Sequence, residues 1–325
     1  MRTVEWVDGE LDVVDQTALP RLCRVRLRTV DEVVDAVRRL VVRGAPLLGV
    51  VGALGVALAA SDGAAAERVR ADAERIAAAR PTAVNLGWGV EQALAHLDAG
   101  PAAVLKAALA VLDDDVRRCR ALAKRGAALL GELCGDGQLA LHTHCNAGAM
   151  ACVEWGTALG VVRALHERRR VRLVVVDETR PLLQGSRITT VELAQLGLEH
   201  RVVVDSAGPS VIARGLVDAV VVGADRIAAN GDVANKIGTY PLALAAARAG
   251  IPFVVAAPES TVDAATASGA DIRVEQRSAE EVLLLDERRV APPQTAAWNP
   301  AFDVTPADLV TAIVTEDRVI RPGAR

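Results

Sequence analysis

The sequence predicts an α/β fold in two parts: a mainly helical N-terminal domain with a small sheet over residues 1–130, and a parallel-sheet domain over residues 131–325. Three observations lead there. Ala-rich helical stretches with alternating charges occupy residues 64–80 and 102–131. From Leu139 onward, short Val- or Leu-rich runs alternate with helical stretches, the pattern of a parallel sheet with right-handed crossovers and both faces covered. Apolar residues make up 51% of the chain but aromatics only 2%, so a sizeable core must be built from Ala, Val and Leu.

Taken in order, residues 4–14 alternate around Asp8-Gly9, with Val4 and Trp6 before the turn and Leu11 and Val13 after it, as in a tight hairpin. Residues 31–42 place Val33, Val34, Val37 and Leu40 on one helical face. Arg43-Gly44-Ala45-Pro46 breaks that helix, and Pro46 suits the first position of the next. Residues 45–60 form an apolar run of 16, short of the roughly 20 that cross a bilayer, and its Gly and Ala spacing suits close helix packing instead. A domain boundary is expected within residues 126–137. Beyond it, strands are expected at 139–143, 171–176, 201–204, 219–222 and 252–256, with helices at 149–166, 188–196, 236–249 and 306–314, the last capped by Thr305. There is no repeat or low-complexity segment.

Composition narrows the function. A net charge of −4 gives no general attraction to nucleic acid or anionic membranes, and four Trp, two Phe and one Tyr are too few for base stacking. The five cysteines are scattered without a C-x-x-C, and nothing resembling a leader opens the sequence, so free thiols in a cytoplasmic setting are expected. Gly49-Val50-Val51-Gly52-Ala53-Leu54-Gly55 follows no strand and lacks the dinucleotide spacing, and no Walker-type loop is present. No cofactor is expected.

Residues 220–240 carry the densest chemistry. A Val-rich strand ends at Gly223-Ala224, Asp225 follows it, Asn230-Gly231-Asp232 makes a turn, and Asn235-Lys236 opens what reads as a helix. A carboxylate and a Lys at a strand's carboxyl end suit a phosphorylated substrate and proton transfer. Asp225 has two readings, a cap for the turn or a general acid whose apolar approach buries it in part. His142-Thr143-His144-Cys145 invites a metal reading, but the two His share one strand face and Cys145 points to the other, so no metal site is expected. Composition alone leaves Cys145 open between a reactive thiol and a small buried hydrophobe. Asp177-Glu178-Thr179-Arg180, continuing through Gln184 to Arg187, is too polar for core and reads either as a solvated loop or as a sugar- and phosphate-binding one, with Gln184 donating hydrogen bonds. Arg43-Gly44-Ala45, before a helix start, and Arg80 are weaker anion-binding candidates.

Together these stretches, with Arg80-Pro81-Thr82-Ala83-Val84-Asn85 and Asn299-Pro300-Ala301-Phe302-Asp303, resemble the methylthioribose-1-phosphate isomerases, within the family that includes the regulatory α, β and δ subunits of initiation factor 2B. The resemblance covers nearly the whole chain. It implies a helical domain joined to a Rossmann-like domain, usually as a homodimer, and a cofactor-free aldose–ketose isomerase of methionine salvage acting on a sugar phosphate. Carried over by motif, Cys145 and Asp225 are its catalytic pair, and Arg43, Gly44, Ala45, Arg80, Gln184, Asn235 and Lys236 match its substrate-binding positions.

The implied chemistry accounts for the residue types. With phosphate on the C1 oxygen the sugar ring cannot open to a free aldehyde, so an acid must help the ring oxygen leave and a second group must move hydrogen from C2 to C1. Asp225 is expected to be the acid and Cys145 the proton carrier. A hydride shift is the rival, separable by solvent deuterium at C1. The sequence departs from the family pattern at Ala207-Gly208-Pro209 and Gly87-Trp88-Gly89. If these segments line the 5-substituent pocket, 5-deoxyribose 1-phosphate becomes an alternative substrate. Ribose 1,5-bisphosphate would need a second cationic cluster. A non-catalytic scaffold like the initiation-factor subunits is the other alternative.

Overall fold

The computed structural model describes residues 1–61, 63–81, 83–285 and 287–322. Its backbone packing divides the chain into two compact units, Met1–Ala121 with Ala147–Gly160, and Leu122–Asn146 with Val161–Arg325.

The first unit opens with β1 (Val4–Val7), β2 (Glu10–Val14) and β3 (Arg24–Leu27), an antiparallel sheet in that order. Asp8 and Gly9 both adopt positive φ, at 53° and 85°, as a two-residue hairpin turn matching strand twist requires. Helices follow: α1 (Val30–Arg38), α2 (Ala45–Ser61), α3 (Ala66–Ala77), α4 (Val84–Leu94) and α5 (Pro101–Cys134), the last passing from the first unit into the second. Thr29 and Glu32 form a reciprocal capping box on α1. α2 is buried along almost its whole length. Its glycines let α4 approach backbone to backbone: a Cβ on Gly89 would lie 1.8 Å from the Gly49 carbonyl oxygen, and one on Gly52 2.7 Å from that of Leu86. Gly89 is therefore a helix-packing residue. Among the described residues no helix is long and apolar enough to cross a membrane.

The second unit is built on β4 (Leu139–Thr143), α6 (Ala158–Glu167), β5 (Val171–Asp177), α7 (Thr190–Gln195), β6 (His200–Val203), α8 (Gly208–Ala213) and β7 (Ala219–Val222). A hairpin of β8 (Arg226–Ala228) and β9 (Val233–Lys236) leads to α9 (Thr239–Ala249), β10 (Phe253–Ala256) and β11 (Val262–Asp263). Short β12 (Leu284–Leu285) and β13 (Arg288–Arg289) pair together, and β14 (Phe302–Thr305), β15 (Ala312–Val314) and β16 (Val319–Ile320) close the chain. The main sheet has the order β16-β15-β10-β7-β4-β5-β6 and is parallel except for β16. A second sheet, β11-β8-β9-β14, carries the hairpin. Val220, Val222, Phe253, Val255 and Ile313 form part of the core on one face, with Leu242 and Ala246 of α9.

The helix expected over residues 31–42 stops at Arg38, with Leu40 at φ 62°, and four later ones change more. Residues 149–157 do not continue into α6, because Gly148 and Gly156 bridge and a Cβ on Gly156 would lie 2.3 Å from the Gly148 backbone. The stretch at 188–196 starts with a wide turn, Gly185–Thr189, before α7. Asn235 and Lys236 end a strand rather than open a helix: they pair with Asp303 and Phe302 of β14, and α9 begins only after Gly238 at φ 107°. Residues 306–314 are a short turn followed by β15, which pairs in parallel with β10.

Candidate active site at the carboxyl ends of β4 and β7

β4 and β7 lie side by side, Leu141 beside Ala219 and His142 beside Val220. From β4 the sheet grows through β5 and β6 in one direction, and from β7 through β10 and β15 in the other. This is the point where strand order reverses, and ligands of open α/β sheets bind outside the carboxyl ends of the strands there. Cys145 follows β4 and Asp225 follows β7.

Cys145 is half-buried and held at φ 60°, a conformation costing a non-glycine residue about 1–3 kcal/mol. Two threonines hold it there. The Cys145 N–H donates to Thr179 Oγ1 at 2.9 Å, and the Cys145 carbonyl accepts from Thr189 Oγ1 at 2.6 Å. Thr179 is itself at φ 66°, and its N–H and that of Arg180 donate to the two Asp205 oxygens, each at 2.7 Å. The next residue, Asn146, donates to Glu192 Oε1 at 2.8 Å and to Thr189 Oγ1 at 3.2 Å.

Beneath this loop, Asp177 bridges two imidazoles, its Oδ1 2.9 Å from His142 Nε2 and its Oδ2 2.8 Å from His144 Nδ1. Burial pushes the Asp177 carboxyl up, but the hydrogen bonds from His142 and His144 outweigh it and hold the group below the usual carboxylate range. Asp177, Thr179 and Gln184 are all buried, so the polar run that reads as a loop too polar for core is partly inside. Gly208 is part of the same packing, since a Cβ there would lie 2.7 Å from Asp177 Oδ1. Both departures from the family pattern thus include a packing glycine, Gly89 on α2 and Gly208 on Asp177, which weakens them as pointers to the 5-substituent.

The acceptor and donor atoms of His144, Asp177 and Asp205 lie within 4.8 Å of one another, a grouping suited to a cation by distance alone. Both His144 nitrogens and all four carboxylate oxygens already have hydrogen-bond partners, so the cluster is put to use in holding the loops. A second such group, Asp115, Cys119 and Cys152, lies in the first unit, where Asp115 accepts the Val153 N–H at 2.8 Å.

Asp225 is exposed, whereas its apolar approach led to an expectation of partial burial. The strand ends before it, and Asp225 sits in the bend entering β8 with its N–H on the Ala234 carbonyl at 2.9 Å. Asn235 is buried, its amide donating to Thr239 Oγ1 at 2.9 Å. Lys236 Nζ donates to the Ala301 carbonyl at 3.0 Å and stands 4.8 Å from the Phe302 ring centroid. Gln184 is 7% exposed, and its Oε1 is buried without a partner, the kind of acceptor a polar ligand satisfies.

One web joins these residues. His144 Nε2 lies 2.8 Å from the Ile237 carbonyl, linking the Cys145 loop to the strand of Asn235 and Lys236. Thr179 links Cys145 to the Gln184 turn, because the Leu183 N–H donates to the Thr179 carbonyl at 2.7 Å. Arg43, Gly44, Ala45 and Arg80 belong to the first unit, at the start of α2 and ahead of α4. Gly44 has φ 103°, and a Cβ there would lie 2.4 Å from Ala151 Cα. Thr82, within the Arg80 motif, lies outside the described residues. Asp177 and Thr179 fell within the run read as a solvated or sugar-binding loop, but sequence reading missed their burial, and missed Thr189, Asp205 and Asp303 as residues that shape the site. Their signal was there as polar residues at strand ends, without any indication of their partners.

A doubly wound sheet with a Cys and an Asp at its switch point defines a class, and comparison with known proteins places the chain within it. Residues 41–322 match the Initiation factor 2 subunit family, and the chain belongs to it. It is 54% identical to a probable bifunctional methylthioribose-1-phosphate isomerase/methylthioribulose-1-phosphate dehydratase of Nocardia farcinica, over 99% of this chain but only 61% of that protein. It is 52% identical to a methylthioribose-1-phosphate isomerase of Anaeromyxobacter sp., covering 95% of this chain and 90% of that one. It is 48% identical to a 5-deoxyribose 1-phosphate isomerase of Moorella thermoacetica, covering 98% and 94%. Among solved structures, 5-methylthioribose 1-phosphate isomerase from Pyrococcus horikoshii OT3 superposes with a TM-score of 0.91 at 38% identity, covering 99% of this chain and 93% of that one. The translation initiation factor eIF-2B subunit delta from A. fulgidus gives 0.89 at 41% identity, covering 99% and 96%.

Proposed function

We propose that the protein is an aldose–ketose isomerase of methionine salvage that converts 5-methylthioribose 1-phosphate to 5-methylthioribulose 1-phosphate, with Cys145 and Asp225 as its catalytic pair. The observation that carries this is the placement of those two residues just beyond the adjacent carboxyl ends of β4 and β7. The full-length relatives and the P. horikoshii structure support the substrate class. The dehydratase activity of the longer Nocardia relative is not carried over.

In this reading the Asp225 carboxylic acid protonates the ring oxygen as the C1–O bond to it breaks. Cys145 Sγ, entering the step as a thiolate, then takes the proton from C2, and the C–H electron pair forms the C1–C2 double bond of an enol. The thiol returns that proton to C1 while the C2 hydroxyl gives its own to the Asp225 carboxylate, leaving a C2 ketone and both side chains as they began. Asp225 is exposed, open to a sugar entering from solvent. Gln184 Oε1 accepts from a sugar hydroxyl, Asn235 and Lys236 flank the sugar, and Lys236 offers the phosphate its remaining N–H donors. Arg43, Gly44, Ala45 and Arg80 are assigned to phosphate binding, so that binding energy away from the reacting carbons positions them. A cytoplasmic homodimer suits the five free thiols and the family resemblance, and light scattering on the purified protein tests the dimer.

The Moorella relative keeps 5-deoxyribose 1-phosphate as the second reading. Side-by-side turnover of the two sugars decides. A kcat/KM favouring the methylthio sugar by tenfold or more is expected, and the reverse preference would move the protein to the deoxy sugar with the same chemistry. No turnover of either would overturn the enzyme reading in favour of a non-catalytic scaffold, the role of initiation-factor subunits.

A further inference from the structure

His144 is 1% exposed, and both its ring nitrogens face acceptors: Nδ1 is 2.8 Å from Asp177 Oδ2, and Nε2 is 2.8 Å from the Ile237 carbonyl oxygen. A carbonyl carries no proton and a carboxylate only accepts, so an imidazole that satisfies both must donate from both nitrogens. His142 is the internal contrast. Its Nε2 meets Asp177 Oδ1 and its Nδ1 is buried without a partner, so a single N–H suffices. Three carboxylates lie near the His144 ring. Asp177 lies on β5, Asp205 comes from the turn before α8, and Asp303 from β14 caps α9 through the N–H groups of Gly238 and Tyr240 at 2.7 and 3.2 Å. Glu178, beside Asp205 and Asp177, is a further acid, with Arg180 as a cation near it. The ring also lies against the backbone at the start of α9, where a Cβ on Gly238 would sit 2.7 Å from His144 Cε1.

We propose that His144 is a positioning residue held as a doubly protonated imidazolium, clamped between Asp177 and the Ile237 carbonyl so that it fixes Cys145 relative to Asn235 and Lys236. This rests on the reading of Cys145 as the proton carrier. His144 precedes Cys145 in the chain and Ile237 follows Lys236, so the clamp sets the separation of the proton carrier from two substrate-binding positions. A catalytic group displaced by an ångström costs on the order of 10²-fold in rate.

The test is nitrogen-15 NMR of the histidine-labelled wild-type protein at pH 7.5, assigned by single His→Gln replacements, together with the kinetics of His144→Gln. Two protonated nitrogens on His144 and one on His142 are expected. In His144→Gln, kcat should fall on the order of 10²-fold while KM changes by less than about threefold, because the substrate contacts remain. A bare nitrogen on wild-type His144, or a His144→Gln kcat within about threefold of wild type, would overturn the proposal. The spectrum stands alone if the variant does not fold. Cys145→Ala run alongside separates the two claims, since full activity there would remove the role given to Cys145 whatever the His144 spectrum shows.

Discussion

The two units bury polar groups to different ends. In the first, buried polar side chains tie backbone to backbone: Gln16 donates to the Met150 carbonyl at 2.7 Å, Thr3 to those of Cys152 and Val153, and Asp115 accepts from Val153. Its helices α2 and α4 approach closely at glycines, Gly89 against the Gly49 carbonyl and Gly52 against that of Leu86. In the second, Asp177, His142, His144, Thr179, Thr189, Asn146 and Glu192 bond one another around a single cysteine. The α2–α4 contact depends on shape, and the Cys145 loop on charge and hydrogen bonding. A methyl group should break one and the loss of a charge the other.

The largest effect is expected from Asp177→Asn, which leaves two buried imidazoles facing an uncharged amide. Breaking such a pair costs about 3–5 kcal/mol, readable by urea unfolding. The same carboxyl gives a pH test. Its folded pKa lies below the unfolded value of about 3.9, so its contribution is present above that pH and is lost as pH falls through the folded value. Wild-type stability should therefore drop below about pH 4, and the Asp177→Asn profile should be flatter there. An equally steep profile in the variant would remove Asp177 as the source.

Next in size is Gly89→Ala. Helix propensity favours Ala by about 1 kcal/mol, yet the methyl meets the Gly49 carbonyl, and overpacking of that kind costs about 3 kcal/mol, with no pH dependence. A stabilised variant would contradict the backbone contact. The smallest effect belongs to Gly9→Ala in the β1–β2 turn. There φ is 85° and the space is open, so only backbone strain of about 1 kcal/mol is expected in thermal unfolding.

What the sequence made legible divides along physical lines. β4 and β7 were readable because each is a short apolar run bounded by polar residues, and the Asp8-Gly9 turn because few residues tolerate two positive φ values. The helix around Lys236 was misread because β14, more than sixty residues away in the chain, pairs with 233–236 and overrides local preference. The 306–314 segment failed likewise, its register set by β10. At the site, type and place left Cys145 and Asp225 each open between a chemical and a structural role, and the family resemblance supplied the catalytic reading. The exposure of Asp225 and the burial of Asp177 could not, because both depend on where neighbouring loops leave the sheet.

The central claim is that Cys145 and Asp225, which follow the neighbouring strands β4 and β7, carry the isomerisation. The direct measurement is the turnover of 5-methylthioribose 1-phosphate by Cys145→Ala and Asp225→Asn beside wild type, each checked by urea unfolding. Loss of kcat by about 10²–10⁴-fold in both is predicted, with the stability of the exposed Asp225→Asn within about 0.5 kcal/mol of wild type. A kcat close to wild type in either variant would contradict it.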